Sequence, residues 1–279
     1  MNLGQLCISR RTATIAVAFV GLVSLAIGAH AALNKRSLDA AKAIATEQYN
    51  DTVNKASRVA LVIGNGQYPD ASAPLVQPIN DARGLTAALR GKGFDVDVVE
   101  DATKDDMARA IGRLKAKINP DTVVMLFFGG YGVQVGRESF MIPVDAAIWK
   151  EADVRRDGVS IEAVLDVMKE QGAKAKLVVV DASRRNPYER RFRSYSHGLA
   201  PISAPENALI LTSATPGKVA DDSMGQYSVL MAELLNNLAA QAGVETAFNK
   251  TRLTISRASE GAQVPAVSSS LLEDIRIGG

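Results

Sequence analysis

VVMLFFGGYG, residues 123–132, and KLVVVDASRRNP, residues 176–187, decide the fold. Each opens on a strongly apolar run, Val123–Phe128 and Leu177–Val180, of the kind that marks a strand buried on both faces. Each then breaks into small and polar residues, Gly129-Gly130-Tyr131-Gly132 and Asp181-Ala182-Ser183. The breaks fall at the carboxyl ends of the strands, where open α/β sheets build their sites.

Outward from these two strands the pattern alternates. RVALVIGN (58–65) reads as a strand, and PINDARGLTAALRGKG (78–93) as a helix closed by Gly93. DVDVVED (95–101) is a second strand, followed by TKDDMARAIGRLKAKI (103–118), a helix opened by a threonine cap. VQVGRESFMIPVD (133–145) predicts a hairpin, IEAVLDVMKEQG (161–172) a helix and ALILTSA (208–214) a strand. Further helices are expected from Tyr227 to Ala239 and from Val244 to about Ser259. Apolar strands alternating with helices predict an α/β sandwich of three layers, a mostly parallel central sheet with helices on both faces.

The first 31 residues read differently. A basic start, MNLGQLCISRR, leads into Ile15–Ile27, thirteen residues without a charge, and then Ala29-His30-Ala31. That order describes an export signal cut after Ala31, and a periplasmic or secreted protein. The run is short for a membrane span of roughly 20 residues. An uncleaved signal holding the protein at the membrane is the alternative. Residues 32–57 are Ala-rich with Leu38, Ala41, Ile44 and Ala45 at helical spacing, which predicts a helical linker to a domain over 58–279.

Cleavage would leave 248 residues with 30 basic and 30 acidic side chains, so nucleic-acid binding has no electrostatic drive. It would also remove Cys7, the one cysteine of the chain, leaving no thiol nucleophile. His197 would be the one remaining histidine, which argues against a zinc site. We expect no metal and no cofactor. Ile63-Gly64-Asn65-Gly66 and Thr215-Pro216-Gly217-Lys218 both lack the spacing of a nucleotide-binding loop.

Eight segments in order carry a resemblance: RVALVIGNGQY, PINDAR, GFDVDVVED, FFGGYGVQV, ESFMIPVD, DASRRNP, RFRSYSHGLA and SATPGKVADD. Residues 58–279 resemble the short bacterial caspase-like peptidases, relatives of metacaspases and paracaspases. In that family the two sheet-end sites read His-Gly and Asp-x-Cys. Here Tyr131 stands at the histidine and Ser183 at the cysteine, 52 residues apart, matching a caspase histidine roughly 50 residues upstream of its cysteine. The resemblance implies that the amides of Gly132 and Ser183 form the oxyanion hole, and that Asp81 and Asp181 hold the basic side chain preceding the cut. The calcium-binding acidic cluster of some metacaspases has no counterpart in the segment after Asp145.

Proton chemistry weighs against catalysis. A serine hydroxyl needs a positioned base at the moment of attack. Tyrosine titrates near pH 10, so Tyr131 is a neutral phenol at pH 7, able to hydrogen-bond Ser183 but poor at taking its proton. Tyr131 and Ser183 are therefore expected to satisfy one another in a filled pocket. His197, 14 residues after Ser183, is a less favoured substitute base. Arg184, Arg185, Arg190, Arg191 and Arg193 crowd the segment after Ser183. Such a run is ordinarily a solvated face. Its place suggests instead a regulatory loop in which Arg190, Arg191 or Arg193 lies near Asp81 and Asp181 as a built-in pseudo-substrate.

Three readings stay open. The first is an exported, inactive caspase-like protein that binds a basic peptide or protein partner, such as an active caspase-like relative. The second is a hydrolase using Ser183. The third is an envelope scaffold without a ligand.

Overall fold

A computed structural model describes residues 57–69, 75–184, 188, 198–220, 225–240 and 242–277. All of them belong to one compact unit, Ala56–Gly279. The expected export signal (1–31), the expected linker apart from Ser57, and Arg185, Arg190, Arg191, Arg193 and His197 lie outside the described residues.

The chain order is β1 (Arg58–Gly64), α1 (Gln77–Arg90), β2 (Asp95–Glu100), α2 (Lys104–Lys117), β3 (Val123–Gly129), β4 (Gly132–Val135) and β5 (Glu138–Met141). Then come α3 (Glu151–Asp157), β6 (Val159–Ser160), α4 (Ile161–Glu170), β7 (Ala175–Asp181), β8 (Ala208–Thr212), α5 (Val229–Ala239), α6 (Val244–Ala258) and β9 (Ala266–Ser269). Six strands form the main sheet in the order β2-β1-β3-β7-β8-β9. All pair in parallel except β9, which runs antiparallel to β8 at the edge.

Alternation along the central strands creates two cores. Val62, Met125, Phe127, Leu177 and Val179 face α1, α5 and α6, while Leu61, Ile63, Leu126, Phe128, Val178 and Val180 face α2 and α4. β3 and β7 are buried at all seven positions, which is why they read as continuous apolar runs. The expected three-layer caspase-like α/β sandwich is the observed architecture.

The helix starts follow local chemistry. Thr103 caps α2 in a reciprocal box with Asp106, and Ser160 caps α4 through the amide of Ala163. The hairpin expected over 133–145 forms as β4 and β5, joined antiparallel and extended by β6 into a second sheet of three strands. Three elements were not expected, the two-residue strand β6 among them. α3 has seven residues and no apolar repeat, and β9 has four, all partly or fully exposed, so neither carries a periodic signal.

Candidate functional site

Three strand ends lie side by side. Gly64 of β1 is in register with Gly129 of β3, and Gly129 with Asp181 of β7. The two glycines explain how a helix can approach them. A Cβ on Gly64 would sit 2.4 Å from the Pro78 carbonyl oxygen, and one on Gly129 would sit 3.3 Å from Pro78 Cα. Pro78, the second residue of α1, has no amide to satisfy, so the helix start rests directly on the sheet edge. One turn later the helix delivers Asp81 to the same side of the sheet as Asp181.

Both carboxylates are buried, Asp81 with 0% and Asp181 with 3% of its surface exposed. Asp81 Oδ1 accepts the amide of Ser228, the residue that caps α5, at 3.0 Å. Asp81 Oδ2 and Asp181 Oδ2 are buried without a hydrogen-bond partner among the described residues. Burial pushes the Asp81 carboxyl up to about 7, and the charge of Asp181 adds to the rise, while the Ser228 amide opposes it.

Arg184 completes this group. Its Nη1 donates to the carbonyl of Gly130 at 2.9 Å and to the carbonyl of Asp181, and lies 3.8 Å from Asp181 Oδ1. The Arg184 side chain is 6% exposed. Sequence reasoning grouped Arg184 with a solvated arginine run, and the signal for its separate role was its position directly after Ser183. The three arginines expected to plug the acid pair, Arg190, Arg191 and Arg193, lie outside the described residues.

The Tyr131 and Ser183 pair differs from expectation. Ser183 is 1% exposed and its Oγ has no hydrogen-bond partner among the described residues, so the expected bond to the Tyr131 phenol is not made. Tyr131 packs edge-on against Tyr68, with ring centroids 4.8 Å apart at 65°, in the apolar cluster that underlies the smaller sheet. Tyr68 also holds the backbone there, its Oη accepting from the Tyr131 amide at 3.1 Å and donating to the Ile142 carbonyl at 2.9 Å. Burial pushes the Tyr68 phenol above its ordinary value, so it stays protonated and able to donate.

The expected oxyanion donors are also engaged. The Gly132 amide donates to the Ala182 carbonyl at 3.1 Å, and the Ser183 amide to Ser213 Oγ at 3.4 Å. In this arrangement neither amide points at an unoccupied position for a developing oxyanion. No group of three or more His, Cys, Asp or Glu side chains suited to a metal occurs among the described residues.

A family model described as the caspase domain matches residues 57–276. The chain belongs to the caspase domain family. Among curated proteins it is 30% identical over 147 residues to mucosa-associated lymphoid tissue lymphoma translocation protein 1 of Homo sapiens. The mouse homolog of that protein is 30% identical over 136 residues. These matches cover 51% and 47% of this chain but 17% and 16% of the relatives, so the chain corresponds to a small part of either protein.

Proposed function

We propose that this caspase domain works without hydrolysing peptide bonds, as an exported binding module that recognises a basic peptide segment or protein partner through Asp81 and Asp181. The observation that carries the reading is at Ser183. Its hydroxyl has no hydrogen-bond partner among the described residues, so none of them stands ready to take its proton. The engaged amides of Gly132 and Ser183 support the same reading, because a tetrahedral intermediate would find neither of them aimed at it. Export is supported by the basic start, the apolar run Ile15–Ile27 and Ala29-His30-Ala31. The buried, charge-coupled aspartates support recognition of a cation, since two carboxylates in an apolar interior, each with one oxygen lacking a hydrogen-bond partner among the described residues, are costly.

The test is turnover by the full chain on fluorogenic peptides ending in Arg or Lys, with and without calcium. No turnover is expected in either condition. Turnover abolished by Ser183→Ala would replace this reading with that of a serine-dependent hydrolase. Binding is tested separately with a fluorescent arginine-containing peptide, whose affinity should fall in Asp181→Asn.

A further inference from the structure

We propose that Arg184 is a tethered occupant of the acid pair, holding from within the chain the place that a partner's guanidinium would take. This rests on the acid-pair reading above and adds that the site is closed by default.

Three observations converge on it. First, two buried carboxylates act on one another through their charge, and one oxygen of each has no hydrogen-bond partner among the described residues. Second, the side chain that reaches Asp181 from the adjoining backbone is a guanidinium, itself buried and 3.8 Å from Asp181 Oδ1, and its charge also acts on Asp81. Third, its Nη1 donates to the carbonyls of Gly130 and Asp181, at the rim formed by the ends of β3 and β7. The guanidinium thus hangs on the rim and closes an ion pair with Asp181 at its outer limit. With Asp181 it does not make the paired, two-bond contact that arginine and carboxylate form when geometry is unconstrained. A ligand side chain free of that rim could bond the open oxygens more closely than Arg184 does.

Competition of this kind lowers apparent affinity by the fraction of molecules in which the resident side chain is out. A tenfold gain in affinity on removing Arg184 would correspond to about one molecule in ten being open.

The alternative is that Arg184 is a permanent strut for the two carbonyls. The full chain carrying Arg184→Ala separates the two. Its cavity should accept free guanidinium, so guanidinium chloride at about 10 mM should raise its melting temperature by about 3 °C or more and the parent's hardly at all. Sodium chloride and urea at the same concentration should have no such effect, and adding Asp181→Asn should abolish the rescue. A fluorescent arginine-containing peptide should bind Arg184→Ala at least about tenfold more tightly than the parent. Equal response of parent and variant to guanidinium would overturn the tether and leave Arg184 as a strut. Rescue by guanidinium with no peptide bound by either protein would keep the tether and remove the proposed function. If Arg184→Ala does not fold, Arg184→Gln, which keeps a donor for Gly130 but no charge, is scored by the same rescue.

Discussion

Replacing Asp81 with asparagine should make this protein more stable in mild base and leave it little changed in acid. The carboxyl titrates near 7 in the fold against 3.8 for the free side chain. The folded state therefore binds that proton more tightly than the unfolded chain does. Its contribution is most favourable below about pH 4, declines as pH rises toward 7 and is flat above that. The interval from 3.8 to about 7 corresponds to about 4 kcal/mol of stability lost from the parent across that window. Burial is complete at this residue, so solvent gives little relief. The asparagine side chain would keep an oxygen for the Ser228 amide and carry no charge against Asp181. Urea unfolding of Asp81→Asn and parent, run at matched steps from about pH 4 to 8.5, should give curves that separate by about 3–4 kcal/mol toward the basic end. Taking the difference cancels groups that titrate alike in both proteins. A difference that does not change with pH would show that Asp81 holds no displaced proton, and the description of the acid pair as buried and mutually repelling would fail.

Gly64→Ala should destabilise the domain by about 2 kcal/mol or more, because its Cβ would meet the Pro78 carbonyl oxygen at 2.4 Å and push α1 off the sheet edge; thermal melts measure it, and a neutral effect would contradict the close approach. Tyr68→Phe removes the hydroxyl between the Tyr131 amide and the Ile142 carbonyl, and should cost about 1–2 kcal/mol in denaturant titrations. Thr103→Ala should cost about 1 kcal/mol by the same measurement, through loss of the reciprocal cap with Asp106. Phe127→Ala, at a fully buried position in the core between sheet and α1, should cost about 3–5 kcal/mol.

The sheet was legible because β3 and β7 are covered on both sides, and two-sided burial writes itself as an unbroken apolar run. The acid pair was reached by a different route. Nothing in the periodicity joins Asp81 to Asp181, and a family pattern was needed to place them together. Tyr131 misled because its neighbour in space is Tyr68, 63 residues earlier, and no local signal ties the two rings. Arg184 was hidden by company, since five arginines within ten residues look alike in a sequence, yet backbone carbonyls at the sheet edge draw this one inward. β9 escaped notice because four partly or fully exposed residues at a sheet edge need no apolar alternation.

The seven-residue strand β7 has an evolutionary consequence. Leu177 and Val179 face the α1 side, Val178 and Val180 the opposite side, and Asp181 continues the odd-numbered series. Which side of the molecule receives the acid is thus a matter of parity. A lineage can exchange one apolar residue for another along β7 and keep the acid opposite Asp81. Gaining or losing a single residue within the strand would turn the acid to the far side, among the apolar residues of α2 and α4. Descendants of this domain should therefore vary in the composition of β7 long before they vary in its length.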